Sequence, residues 1–289
     1  MVQAAPYRSV LYMPGSNPRA LEKAQSLPAD ALILDLEDAV APTEKETARA
    51  LVCSQDRVRS YGLRQVLIRI NALDTTWGAE DLIASGEAAP DGILIPKVNT
   101  AADIQSVATA LNSVPERTRL WAMMETPLSI LNAQEIAQAH PRLAGFVLGT
   151  NDLIKELGAQ FTPERAPVLS SLSTCLLAAR ANGLICVDGV YNAFKDADGL
   201  RAECEQGRAL GFDGKTLIHP AQIDITNEVF APSQDDLDLA KRQIEAFDAA
   251  TASGAGVAVV DGRIVENLHI ETARKTLAKA AAIAELLAS

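Results

Sequence analysis

Little in this chain is aromatic: Phe, Trp and Tyr together make up 4% of its 289 residues. Alanine, leucine and valine are plentiful instead, a balance that suits helices layered around a parallel sheet better than a β-sandwich. Cysteine is scarce as well. Cys53, Cys175, Cys186 and Cys204 form no C-x-x-C pair and share no ligand spacing with histidine, so they read as reduced packing or surface thiols. His140, His219 and His269 are scattered, without an H-E-x-x-H or a triad pattern, and His219 before Pro220 reads as a turn or capping residue. Ser16 stands in Pro-Gly-Ser-Asn rather than Gly-x-Ser-x-Gly, which removes the usual support for a serine nucleophile. No basic block offsets the formal net charge of −11, and this argues against nucleic acid as a partner.

Long uncharged runs are missing too, so no membrane helix and no membrane partner are expected. Met1 to Tyr7 lacks both a basic n-region and an apolar h-region, which makes a cytoplasmic location the default expectation. No G-x-G-x-x-G follows the first apolar run and no G-x-x-x-x-G-K-[ST] occurs, so dinucleotide and P-loop readings lose their main support. Solenoid-period repeats and low-complexity tracts are also absent.

What is present is a 48% hydrophobic chain in which short apolar runs alternate with helical patterns. The runs are Arg8 to Met13, Ala31 to Asp35, Gln65 to Asn71, Asp91 to Lys97, Leu120 to Glu125, Gly145 to Asp152, Leu184 to Asp188 and Asp213 to Ile218. Eight such signals at this length predict a (β/α)8 barrel over residues 1–230, with a doubly wound open sheet as the competitor. Thr43 and Glu46 read as a capping box for a helix through Val58. From Ala231 the pattern changes to a helix, a Gly254-Ala255-Gly256 break, a hairpin turning at Asp261-Gly262 and a last alanine-rich helix. This helix-hairpin-helix extension, residues 231–289, reads as a lid or subunit-contact element.

Strand ends of an α/β barrel open onto one face, and most of these runs finish in a charge. Glu37, Asp38, Arg69, Lys97, Glu125, Asp152, Asp188 and Lys215 are therefore the candidate rim residues. Glu125 and Asp152 close adjacent runs, so they are expected to converge, and two converging carboxylates need a cation between them. Mg²⁺, which takes one or two carboxylates and fills its other positions with water and substrate oxygen, suits that pair. Arg69 could hold an oxygen on which negative charge develops, or could form an ion pair with Glu37 or Asp38. Asp261 reads from spacing alone as a turn residue.

Arg8 to Asn17, Asp35-Leu36-Glu37-Asp38-Ala39-Val40, Arg69-Ile70-Asn71, Pro96-Lys97-Val98, Met124-Glu125-Thr126-Pro127, Gly149 to Leu153 and Gly214 to Pro220 occur in that order. Together they resemble the citrate lyase β-subunit-like, or malyl-CoA lyase, branch of the HpcH/HpaI aldolases. The resemblance implies a barrel of the PEP/pyruvate-binding type that binds Mg²⁺ through Glu125 and Asp152. It implies substrate contacts from Arg69 and Glu125, with Asp38 and Lys97 beside them and Arg8 and Lys23 toward the acyl carrier. It also implies an acid/base role for Asp261, in preference to Glu37, and a homo-oligomer, a trimer or dimer of trimers, whose C-terminal segment covers a neighbouring site. The implied reaction is reversible carbon–carbon cleavage of a malyl, citramalyl or citryl thioester. The alternatives are a malyl-CoA thioesterase on the same scaffold and a citrate lyase β subunit that works only with an acyl carrier protein.

Overall fold

In a computed structural model, residues 5–254 and 256–288 are described. The chain divides into two units, Tyr7–Phe230 and a second that contains Ala231–Ser289. In the first, β1 (Ser9–Pro14), β2 (Ala31–Asp35), β3 (Gln65–Arg69), β4 (Gly92–Ile95), β5 (Arg119–Met124), β6 (Leu143–Leu148), β7 (Ile185–Asp188) and β8 (Gly214–Leu217) form one parallel sheet in sequence order. It closes on itself where Ser9 pairs with Lys215, which excludes the open doubly wound alternative.

Both faces of each strand are buried, so the strands carry continuous apolar runs rather than alternating ones. One set, including Val10, Ile33, Leu67, Leu94, Trp121, Val147 and Val187, fills the barrel interior. The other, including Leu11, Leu32, Leu34, Ile68, Ile93 and Phe146, packs under the helices. Trp121 is 1% exposed and is the largest interior side chain. Its indole fits because Gly92 and Gly145 flank it: a Cβ on Gly145 would lie 2.4 Å from Trp121 Cζ3, and one on Gly92 2.7 Å from Cδ1. With the interior filled, the open space lies at the carboxyl ends of the strands.

The helix expected from Thr43 through Val58 is two helices, Lys45–Val52 and Gln55–Arg59, preceded by a 3₁₀ turn. Ser54 breaks it by capping the second helix, its hydroxyl accepting from Arg57 N at 3.2 Å. The stretch from Leu128 to Ala139, whose spacing also reads as one helix, is two, Pro127–Leu131 and Ala133–Ala137, broken at Asn132.

The C-terminal unit is a helix (Gln234–Ala252), the two-stranded β9 (Ala258–Val260) and β10 (Arg263–Val265), and a helix (Asn267–Ala288). Of the expected glycine break, Ala255 lies outside the described residues. Asp261 and Gly262 turn the hairpin with φ of 51° and 75°, as a two-residue turn requires. Val260, Val265 and Ile270 make the small core of this unit, packed against Ile244 and Phe247. No helix among the described residues is long and apolar enough to cross a membrane.

Candidate active site

Asp35 and Arg69 are register partners at the ends of β2 and β3. Arg69 donates through Nε to Asp35 Oδ1 at 2.6 Å and through Nη2 to Oδ2 at 2.7 Å. The same carboxylate shapes the loop beyond β2, accepting from Glu37 N at 2.9 Å and Ala39 N at 3.0 Å. Burial works against the charge on Arg69, but Asp35, Tyr12 and Glu37 together outweigh it, so the proton is held more tightly than in a free arginine. The guanidinium also lies over the Tyr12 ring, 4.9 Å from its centroid.

Arg69 Nη1 lies 2.8 Å from Glu37 Oε2, yet that oxygen accepts no hydrogen bond among the described residues. Burial pushes the Glu37 carboxyl up to about 8. Arg69 counters that rise, while Asp38, Glu125 and Asp35 add to it. The Glu37 backbone is pinned by Lys45, whose Nζ donates to Leu36 O, Glu37 O and Asn71 Oδ1 at 2.7 to 2.8 Å. Asp38 is mostly exposed, 3.5 Å from Arg69 Nη1.

Across the opening, Glu125 directly follows β5 and is 2% exposed. Its neighbour Asp152 stands in the first turn of the helix Thr150–Glu156 after β6, where the helix dipole favours a negative charge. The two carboxylates converge on one cation, Lys97: its Nζ is bonded to Asp152 Oδ2 and lies 3.5 Å from Glu125 Oε1. Lys97 N also donates to Glu125 Oε1 at 2.8 Å, from a backbone with φ of 52°. Burial raises the proton affinity of Glu125; Lys97 opposes that and Asp152 reinforces it. Gly149 leaves the room the pair occupies, since a Cβ there would lie 2.7 Å from Glu125 Oε2.

A cavity of about 310 Å³ opens between these two groups, lined by Tyr12, Asp35, Asp38, Arg69, Met123, Glu125 and Asp152 among others. Tyr12 and Met123 are cavity residues that strand-end reasoning missed, because they lie inside apolar runs; Asp35 ends its run but was passed over for Glu37 and Asp38. The inward parity of β1 and β5, shared with Val10 and Trp121, was the available signal.

Other expected residues lie elsewhere. Arg8 precedes β1 at the amino-terminal mouth of the barrel, where Asp30 takes it bidentately at 2.7 and 2.9 Å; it is a buried structural ion pair. Lys23 ends the helix Pro18–Lys23, exposed and outside the cavity lining. Asp188 and Lys215 pair with each other at 3.1 Å, joined by Arg165 and Glu203, and are fully buried. Asp188 ends β7, but Lys215 is the second residue of β8, so the rim position expected for it is not where it lies. Asp261 is exposed in the hairpin turn and bonded to Arg242 at 2.6 Å. His219 caps the turn at Pro220, its Nδ1 accepting from Ala221 N at 3.1 Å.

The model of the HpcH/HpaI aldolase/citrate lyase family matches residues 8–220, from the start of β1 to beyond β8. The chain belongs to that family. A (3S)-malyl-CoA thioesterase of Cereibacter sphaeroides is 62% identical over 287 residues, 99% of each chain. Citrate lyase subunit beta of Escherichia coli is 38% identical over 280 residues, 94% of this chain and 93% of the relative. Among solved structures, CitE from Mycobacterium tuberculosis in complex with magnesium, acetoacetate and coenzyme A is 31% identical with a TM-score of 0.77. That match covers 97% of this chain and all of the other. The carbon–carbon lyase expected from the motifs is thereby corrected. Relatives at 61 to 62% identity carry the name of a thioesterase, a hydrolase, while citrate lyase β stands at 38%. The motifs mark the family, in which relatives named thioesterase and citrate lyase both occur, and could not separate the two.

The donor set fits a hard divalent ion. Glu125 and Asp152 offer carboxylate oxygens on one side of an open cavity, and the Lys97 ammonium already marks their meeting point as a place for positive charge. Among the described residues no group of three or more His, Cys, Asp or Glu forms a closed metal cage. Two carboxylates with room for water and substrate oxygen is the arrangement magnesium accepts.

Proposed function

We propose that this chain hydrolyses the thioester of a malyl-CoA-type substrate with magnesium held by Glu125 and Asp152. The observation that carries this reading is identity of 62% across 99% of both chains to (3S)-malyl-CoA thioesterases. Bound there, magnesium would supply Lewis acidity to the substrate's carboxylate and hydroxyl oxygens. Arg69 would face the thioester carbonyl, its permanent charge meeting the oxyanion as water adds. Lys97, 37% exposed at the cavity edge, and Asp38 complete the proposed substrate contacts.

In the proposed step, the oxygen of water bonds to the thioester carbon while its proton passes to the Glu37 carboxylate. The carbon–sulfur bond then breaks, and the leaving thiolate takes that proton back. Glu37 is favoured over Asp261 as the proton acceptor. When ionised, its buried carboxyl is the stronger proton acceptor, since burial raises it to about 8, and it lies 2.8 Å from Arg69, whereas Asp261 is exposed in the hairpin turn and bonded to Arg242. The reading is tested by incubating the enzyme with (3S)-malyl-CoA and following free thiol and glyoxylate together. The expected outcome is CoA and malate without glyoxylate, suppressed by EDTA and restored by Mg²⁺. Glyoxylate with acetyl-CoA would overturn the hydrolase reading, and an undiminished rate in EDTA would overturn the metal.

A further inference from the structure

Arg69 has few hydrogens left for a substrate. Asp35 takes Nε and one hydrogen of Nη2, while Nη1, which lies 2.8 Å from Glu37 Oε2 and 3.5 Å from Asp38 Oδ2, also reaches Met123 Sδ at 3.6 Å. The Tyr12 hydroxyl reaches the same sulfur, at 3.9 Å, and this is its sole hydrogen-bond partner among the described residues. Two donors of different chemistry, one from β1 and one from β3, thus converge on a thioether in the cavity wall. A thioether is a weak acceptor. An oxygen carrying negative charge beside Met123 would draw both donors far more strongly.

The position is built rather than incidental. Tyr12 follows Val10 on the inward face of β1, its ring is held beneath the Arg69 guanidinium, and both residues line the cavity that contains Glu125. Resting on the hydrolase reading above, we propose that Tyr12 is a further catalytic residue, its O–H and Arg69 Nη1–H together forming the two-donor oxyanion site for the thioester carbonyl. Burial pushes the phenol's pKa up, so the hydroxyl remains a donor throughout any working pH range.

Tyr12→Phe tests this, because it keeps the ring under Arg69 and removes only the hydroxyl. Loss of one oxyanion donor is expected to lower kcat for malyl-CoA hydrolysis about 100-fold. KM should stay within about threefold, since the contact strengthens only as charge develops. Tm should stay within about 2 °C, because the lost partner is a weak acceptor. Malate, whose second carboxylate would occupy the oxyanion position, should bind Tyr12→Phe about tenfold more weakly in a calorimetric titration with Mg²⁺ present. A kcat within about twofold of wild type with unchanged malate affinity would overturn the proposal. So would a kcat loss accompanied by a Tm drop of more than about 5 °C, which would assign the hydroxyl to stability. If wild type releases no CoA, the hydrolase reading fails by itself, and the malate titration still decides whether Tyr12 donates in this cavity.

Discussion

Glu37 carries a carboxyl that folding makes harder to ionise, from 4.5 to about 8, with burial as the leading cause. The linkage follows in sign. Between these two values the folded protein holds a proton that the unfolded chain has released, so stability from this group is full below about 4.5 and is lost as pH rises through about 8. Glu37→Gln removes the titration. Thermal melts should show the variant several degrees (about 3 to 6 °C) more stable than wild type at pH 9, with the gap closing toward pH 5. A pH-independent difference would contradict the buried-acid account. The same variant should lose at least about 100-fold in kcat if Glu37 is the proton acceptor. Residues of this kind were partly legible. Glu125, Asp152, Lys97 and Arg69 stand at or just beyond the ends of apolar runs, and the structure lines one cavity with Glu125, Asp152 and Arg69 and sets Lys97 against the two carboxylates. Tyr12 was not picked out, because both faces of β1 are apolar and only its parity with Val10 marks it as inward, and Asp35 was passed over for the acidic residues that follow it. Arg8 was misread for a different reason, since a residue that opens a strand belongs to the mouth opposite the carboxyl ends.

At the scale of elements, the strand ends position the chemistry: β1, β2, β3 and β5 bring Tyr12, Asp35, Arg69 and Met123 to the cavity. β5 delivers Glu125 and β6 delivers the turn to Asp152, with Gly149 N bonded to Met124 O at 3.1 Å across the two. Gly149→Ala would place a Cβ 2.4 Å from Glu125 Cβ, so that side chain would have to move. Titration calorimetry should then show Mg²⁺ affinity reduced about tenfold or more, comparable to disturbing the support of a metal ligand. Unchanged affinity would mean that Glu125 does not hold the ion. Seven of the eight strands were legible to within a residue or two, because apolar runs bounded by turn signals are strong local patterns, while the sixth run was carried four residues past Leu148 into the helix Thr150–Glu156. Helix continuity was less so. Ser54 and Asn132 interrupt segments whose hydrophobic spacing continues across the break, and the helix Gly78–Ala88 went unread for want of a clear apolar stripe.

Taken whole, the molecule carries a net charge of −11, yet Arg69 lines its cavity and Lys97 lies against the lining carboxylates Glu125 and Asp152. Barrel and family were legible because seven motifs fall in order along it. The reaction was not. Hydrolysis and carbon–carbon cleavage can share metal, arginine and carboxylates, and they differ in whether water reaches the thioester carbon, which no spacing of residues records. The most direct test follows the oxygen: (3S)-malyl-CoA is turned over in H₂¹⁸O with Mg²⁺, and the malate is analysed by mass spectrometry. Hydrolysis places one ¹⁸O in the carboxylate released from CoA. Turnover yielding glyoxylate and acetyl-CoA, with no labelled malate above an enzyme-free control, would contradict the account.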